Sequence, residues 1–539
     1  MFLLLLACSC SPVGPTPESE SESESESESE SESESDSDSP VDTPGDTELE
    51  GPHIPSFVLA QGFEAVGLGR AVSVQDVDGD GDLDVLSASS GMAQPGDSSL
   101  QLHLQNSDGS YTWATKDWGL SYDLDLWGLV PIDPDGDGVN QLLMTGAGWS
   151  GLASNHLLTL SPGGSVLEGG PRGACGEGAS MGASVADFDQ NGFLDLVIAN
   201  GSAHELGGCT DVLFNPGDRL QPSFEVGSGE LQGFGTVSQD LSGDGFPELV
   251  VLGGTGCTIY QNLGEEPWFN LDDPEYRFFE RVRTEEQDKN WPIASLTTVL
   301  LDYDQDGDLD VYVCSFGDPK DESLGDYQVL LRNDGDMAFV NVAPDVGAAI
   351  GGGCMGVGTG DIDLNGYPDL YLGTGGPESH MASDNLLLLN SGGQFQDVAT
   401  QAGVAWKGRT HGIEFADMNQ DGHMDLVANS GGAVPGQEEG LRVALNQGGP
   451  YAGVPVVLEG PPSNPDGVGA RIQARTEQGN FYSWRIQGQG FASSNMGPTW
   501  VGVADAQEVT VIVRFPDGST VESAPLIPPF ETLTLRWKE

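Results

Sequence analysis

Basic side chains are scarce in this chain. Lysine and arginine number 19 against 84 aspartates and glutamates, a formal net charge of −65. So acidic a surface repels nucleic acid and anionic lipid headgroups, which excludes binding through phosphate contacts. It also strains a compact fold by self-repulsion unless cations neutralise part of it. Long apolar runs are missing, and no stretch approaches the ~18 apolar residues of a membrane-spanning helix. Cysteine is sparse at seven residues, with no CxxC pair and no Cys/His cluster at zinc spacing. The seven histidines are scattered, and neither GxSxG nor HExxH occurs. Glycine is abundant at 78 residues but follows no G-X-Y period, which excludes collagen.

Residues 2–7 form a short apolar run that ends at Cys8. Leu5-Leu6-Ala7-Cys8 resembles a bacterial lipobox, which implies cleavage before Cys8 and acylation of its sulfur. The run is short and no basic residue precedes it, as a start codon assigned too far downstream would produce. Residues 18–39 alternate serine with glutamate or aspartate and contain no apolar residue. Such a segment has no face to bury and repels itself, so it is expected to be an extended, disordered spacer. Residues 1–8 therefore read as a lipoprotein signal peptide with its acylated cysteine. Residues 9–52 read as an acidic linker holding the body off the membrane. This predicts an exported protein at the bacterial outer membrane or cell surface, tied to lipid only through its anchor.

Beyond the linker the sequence repeats. Asp76-Val-Asp78-Gly-Asp80-Gly81-Asp82-Leu83-Asp84 has counterparts beginning at Asp133, Asp187, Asp240, Asp302, Asp361 and Asp417, at intervals of 57, 54, 53, 62, 59 and 56 residues. A strand pattern precedes each copy, an apolar strand follows it, and a third strand ending in Asn and a short fourth complete the unit, as in Leu386-Leu387-Leu388-Leu389-Asn390 and Phe395-Gln396-Asp397-Val398-Ala399. Four short strands per unit with tight turns describe a propeller blade; the turns of a β-helix, the rival repeat fold, are much shorter. The expected fold is all-β, a seven-bladed β-propeller over residues 53–449. The seventh unit lacks a fourth strand, and the segment 55–60 is expected to supply it beside residues 441–446, closing the ring. Residues 450–539 lack the loop motif but alternate like strands, and are expected to be a separate small all-β domain.

The loop pattern D-x-[DNS]-x-[DN]-G-x-x-[DEQ] suits calcium, a hard cation that takes six to eight oxygens. Side chains at positions 1, 3 and 5 converge, glycine at position 6 permits the sharp turn, and position 9 closes the cage from the next strand. The candidate ligands are Asp76, Asp78, Asp80 and Asp84; Asp133, Asp135, Asp137 and Gln141; Asp187, Asp189, Asn191 and Asp195; Asp240, Ser242, Asp244 and Glu248; Asp302, Asp304, Asp306 and Asp310; Asp361, Asp363, Asn365 and Asp369; and Asp417, Asn419, Asp421 and Asp425. Up to seven calcium ions are expected, held less tightly by the second loop, with Gln141 at position 9, and the fourth, with Ser242 at position 3. Read blandly, the same residues form only Asx-type turns.

These loops resemble the FG-GAP/VCBS repeats of integrin alpha-type propellers. The run Ser463-Asn464-Pro465-Asp466-Gly467-Val468-Gly469, with Gly488-Gln489-Gly490-Phe491 and Val513-Arg514-Phe515-Pro516-Asp517-Gly518, resembles the ASPIC/UnbV domain. Together they are similar to the cartilage acidic protein family, with many bacterial members. The resemblance implies extracellular calcium binding and adhesion-like roles, and implies no catalytic activity.

A second position recurs six residues before each loop: Arg70, Trp127, Met181, Phe234, Leu296, Met355 and His411, five of them followed by glycine. These would line the central channel, as packing or, through Arg70, Trp127 and His411, as ligand contacts. Cys175 and Cys209, in glycine-rich surroundings, are a candidate disulfide. Functionally, the residues fit a surface module binding an extracellular protein or glycan. A propeller enzyme acting on extracellular polysaccharide and a structural spacer in a surface complex remain open beside it. The acidic clusters are taken up by the loops, where a bound cation holds them ionised and unsuited to general-acid work.

Overall fold

The computed structural model describes residues 53–538 apart from 64–65, 90–97, 135–136, 138, 147–154, 171–178, 202–208, 218–220, 227–232, 254–255, 265–278, 282–294, 316–327, 377–381 and 433–435. The regular secondary structure of the described residues is almost all strand, with two one-turn helices at Ala343–Val346 and Ala399–Ala402. The propeller consists, among these residues, of seven sheets, each with four antiparallel strands and two of them extended by a fifth, hereafter blades 1 to 7 in chain order of their first strands. Those first strands are Gly69–Gln75, Leu126–Ile132, Ala179–Ala186, Gly233–Gln239, Ser295–Leu301, Cys354–Gly360 and Thr410–Ala416. Each packs against its neighbours, and the last packs on the first, so the seven form a closed inner ring. Ser184 on blade 3 meets Ser238 on blade 4 at 2.9 Å, hydroxyl to hydroxyl.

The ring closes through strand exchange. Phe57–Leu59 pairs antiparallel with the strand Glu438–Asn446, Phe57 opposite Asn446 and Leu59 opposite Ala444. The N-terminal segment is thus the outer strand of blade 7, as the incomplete seventh repeat requires. It removes an open edge that would otherwise invite pairing with another chain.

Every first strand carries a bulge at the same place. The register with the second strand shifts across Arg70 and Ala71, across Trp127 and Gly128, and at Met181, Phe234, Leu296, Met355 and His411. These are the seven recurring residues that precede the loops. An extra residue in one strand bends it and re-aims its side chain. The glycines that follow serve close packing between blades. A Cβ on Gly356 would collide with the His411 carbonyl oxygen, and one on Gly412 with that of Arg70.

The candidate pair Cys175–Cys209 lies outside the residues whose side chains are described. Among the described residues a disulfide joins Cys314, on the second strand of blade 5, to Cys354, on the first strand of blade 6, with Cα atoms 5.4 Å apart. Cys257 is free and buried.

The small all-β domain expected after residue 450 is joined to the propeller by one inserted segment. Residues 450–538 do build their own sheets: Gly453–Glu459 lies between Thr499–Gly502 and Leu533–Arg536, and Arg471–Thr476 between Asn480–Trp484 and Val509–Arg514. Their inner faces share a core that includes Val454, Ile472, Val511 and Phe515. The segment between Trp484 and Thr499, however, leaves this domain and enters the propeller. Ser494–Asn495 runs parallel to Ser73–Val74 of blade 1. Along the way the Gly490 N–H donates to the Thr298 carbonyl at 2.8 Å, the Leu129 N–H to the Ala492 carbonyl at 2.9 Å, and the Val72 N–H to the Ser493 hydroxyl at 3.1 Å. The inner strands of a propeller leave unpaired backbone groups along the channel. A chain segment satisfies some of them here, so the two parts share one hydrogen-bonded core.

Gly356→Ala should destabilise the fold by about 1–3 kcal/mol, because the added methyl meets backbone that cannot yield. Gly164→Ala, where the methyl meets open space, should have little effect. Urea unfolding of the two variants beside the parent protein checks this.

Candidate metal centres and the filled channel

Each loop joins the first and second strands of its blade, so all seven lie on one face of the ring. Their turns depend on left-handed backbone at two positions. The glycine at position 6 has positive φ in each fully described loop, from 89° at Gly422 to 100° at Gly307. Position 4 does too, and there non-glycine residues occur: Gln190 at 54°, Gln305 at 58°, Leu364 at 62° and Gln420 at 57°. The glutamines are tied down by neighbours. Gln190 donates to the Gly245 carbonyl of the next loop, and Gln420 to the Gly81 carbonyl of the first, both within 2.9 Å. The sequence pattern showed nothing of this position.

In four loops three carboxylates converge. One oxygen each from Asp76, Asp78 and Asp84, from Asp187, Asp189 and Asp195, from Asp302, Asp304 and Asp306, and from Asp361, Asp363 and Asp369 lie within 4.8 Å of one another. That spread suits a cation with oxygens at about 2.4 Å on opposite sides. Among the described residues the other three loops gather no such group. Asp135 of the second loop lies outside them, and Ser242 and Asn419 take the place of an acid in the fourth and seventh.

The acid at position 9 has a second duty. One oxygen of Asp84 accepts the Val77 N–H of its own loop and the other accepts the Gln105 N–H of the third strand, both at 2.8 Å. Asp195, Asp310, Asp369 and Asp425 repeat this with Phe188 and Asn215, Tyr303 and Asn333, Ile362 and Asn390, and Met418 and Asn446. The asparagine that ends the third strand then reaches the preceding blade. Asn262 donates to Phe188, Asn333 to Leu241, Asn390 to Tyr303 and Asn446 to Ile362, each to a loop carbonyl at 2.8–2.9 Å. In blades 5, 6 and 7 an acid and an asparagine thereby link loop, blade and ring.

Electrostatics shows what these loops need. Burial pushes Asp84 and Asp187 up to about 7 and Asp302 and Asp425 up to about 8, and neighbouring carboxylates push the same way. Burial raises Asp195, Asp310, Asp361 and Asp369 well above the ordinary carboxylate range. Acids crowded in this way stay ionised at neutral pH only beside a positive charge. A hard cation would supply it, and the donor set fits one.

The C-terminal domain docks on this same face. Asn140 donates to the Asp466 carboxylate at 2.6 Å, the Tyr482 N–H to the Gln305 side-chain oxygen at 2.5 Å, and the Ala504 N–H to the Leu364 carbonyl at 3.0 Å. Its inserted segment carries Phe491 up the channel to the ring of bulge residues. Phe491 stacks on Trp127 with centroids 5.5 Å apart and meets His411 edge-on at 4.9 Å. Trp127, Met181 and Phe491 form a buried cluster with Phe234 against it.

The structure thus brings Arg70, Trp127 and His411 together, and it fills the space between them. The Arg70 guanidinium lies 4.7 Å from the Trp127 ring centroid and donates to the carbonyls of Gly69 and Gly432. Arg70 and His411 are each 2% exposed. Burial lowers Arg70 to about 10 and holds His411 well below its ordinary value, hence neutral. These contacts give the three residues a packing role around Phe491. Sequence reasoning missed Phe491 because its partners lie far away along the chain, on other blades, although it stands within Gly488-Gln489-Gly490-Phe491, one of the motifs that carried the resemblance.

A family model described as FG-GAP-like repeat matches residues 76–144 and 302–372, and one described as ASPIC and UnbV matches residues 460–539. The chain therefore carries FG-GAP-like repeats and a C-terminal ASPIC/UnbV domain. No curated protein matches it. Among solved structures it is similar to an Agrocybe aegerita lectin described as recognising non-reducing terminal N-acetylglucosamine, at 16% identity over 69% of this chain and 93% of that one, with a TM-score of 0.36. It is also similar to BBS1N in complex with ARL6DN, at 10% identity over 73% of this chain and 98% of that one, with a TM-score of 0.41.

Two outcomes are expected. Phe491→Ala should cost about 3–5 kcal/mol, the usual range for emptying a buried aromatic site, measured by calorimetry as one lowered transition of propeller and C-terminal domain together. The metal-free protein should show an inverted pH dependence. Carboxyls whose folded pKa is raised contribute stability that is fully present below their unfolded value of about 4. That stability is lost as pH rises through the folded values near 7 and 8. In chelator, melting temperature should therefore fall from about pH 4 to about pH 8. With the cation present it should rise over the same range as the carboxylates become free to bind it.

Proposed function

We propose that the protein is a calcium-binding module of the cell surface whose propeller presents a ligand-binding face, with binding rather than catalysis as its activity. The observation that carries this reading is the set of four converging carboxylate triads on the face where the C-terminal domain docks. Calcium is the cation of choice, because it accepts irregular all-oxygen cages whereas magnesium retains several waters. Loops 1, 3, 5 and 6 fill first and the remaining three later, up to seven ions. The repeats and the C-terminal domain are of kinds that occur together in extracellular binding proteins, and the ligand class is a protein or a glycan.

Anchoring belongs to the same proposal. Cys8 carries lipid, the acidic segment that follows is the stalk, and the propeller stands clear of the bilayer. Among the described residues no helix is long and apolar enough to cross a membrane.

At calcium ten times above Kd a site contributes roughly 1.4 kcal/mol, so four sites contribute about 6 kcal/mol. Chelation of the mature protein should lower its melting temperature by on the order of ten degrees, with the C-terminal domain released in the same transition. An unchanged transition would remove calcium from the proposal. Anomalous scattering at limiting calcium should show loops 1, 3, 5 and 6 occupied before 2, 4 and 7. Metabolic labelling with palmitate should mark the parent chain and fail for Cys8→Ser. An array of extracellular proteins and glycans probed with the calcium-loaded protein tests ligand binding itself; turnover of a polysaccharide on that array would replace it with the enzymatic reading.

A further inference from the structure

The C-terminal domain covers the loop face unevenly, and of the four converging triads that of the sixth loop lies deepest beneath it. Its acids Asp361, Asp363 and Asp369 are 9%, 4% and 0% exposed. In each of the other three triads at least one acid remains partly or fully exposed, and in the first loop Asp76 and Asp78 both face solvent.

Residues of the C-terminal domain make this cover. Gly502 stands over the first acid of the sixth loop, so close that a Cβ there would collide with the Asp361 carboxylate. Phe481 lies on the turn glycine, where a Cβ on Gly366 would run into its ring. Trp500 packs in one apolar cluster with Ile362 and Leu364, which hold the second and fourth positions of the loop. The Ala504 N–H donates to the Leu364 carbonyl at 3.0 Å and ties the cover to the loop backbone. The first loop offers the contrast, since a Cβ on Gly79 or Gly81 would meet nothing within 4 Å.

Solvent reaches a cation in the first loop directly, whereas a cation in the sixth has protein packed over it. Passage into or out of the sixth loop then requires a local opening that parts these surfaces, and such an opening has its own free-energy cost. We propose that the C-terminal domain is a lid on the sixth loop, which holds a calcium ion there until the domain lifts. By linkage the ion strengthens docking of the domain by the same factor as docking strengthens the hold on the ion. The proposal rests on the calcium-binding reading above and adds the regulation of one of its sites.

The test loads the full chain with calcium, removes the free ion, and follows release after rapid mixing with a fluorescent chelator. Release should be biphasic, with one phase at least about tenfold slower than the rest. Asp363→Asn, which takes one charge from the sixth loop, should abolish the slow phase. Asp78→Asn, its counterpart in the first loop, should leave the slow phase intact. Phe481→Ala, which thins the cover, should move the slow ion into the fast phase. If that variant fails to fold, urea below the unfolding transition of the parent decides, since it should speed the slow phase and leave the fast phase unchanged. A single phase of release overturns the lid and leaves the calcium reading standing. So does a slow phase that survives Asp363→Asn, or one that neither Phe481→Ala nor urea accelerates. Absence of any released calcium overturns the lid and the calcium reading together.

Discussion

The fold depends on a buried carboxylate at the end of six of the seven loops. Asp84, Asp195, Asp310, Asp369 and Asp425 each accept one N–H from their own loop and one from the third strand of their blade. Hydrogen bonds to an ionised acceptor are roughly twice as strong as neutral ones. Yet burial disfavours the ionised form that makes them strong, as the raised values of these acids show. A bound cation would resolve the conflict, because it would hold the acid ionised while the backbone holds it in place. The candidate metal centres and the architecture of the ring are in that case one device. The extreme acidity of the chain is partly the expression of that device, repeated around the ring.

The channel poses the second constraint. Seven inner strands converge on an axis, and their bulge residues point into a space that water or protein must fill. Here the protein fills it, with a segment that belongs in sequence to the C-terminal domain. Phe491 completes an aromatic and cationic cluster with Trp127, His411 and Arg70. Docking of the domain on the loop face brings cation sites, channel and domain interface into contact. Because the domain does not cover that face evenly, the sixth loop lies beneath it while the first stays open to solvent.

Much of this was legible in the sequence. The period of the loops, the four-strand grammar of each unit and the missing strand of the seventh repeat led to the ring and to its closure by Phe57–Leu59. The residues placed six positions before each loop were visible as a recurring feature. Their meaning, a bulge in each inner strand, was not. The asparagine ending each third strand was visible too, without its bond to the preceding blade.

The sequence by itself determined what is local and repeated. A tight loop brings its own side chains together whatever surrounds it, and a spacing repeated seven times reports a shared backbone geometry. Only the tertiary structure decided what depends on contacts between distant segments. The insertion of Phe491 beside Trp127 and the disulfide between Cys314 and Cys354 both join residues through the closed ring or the docked domain. Such contacts leave no periodic mark on a single chain, because each occurs once and its partners are set by packing rather than by spacing.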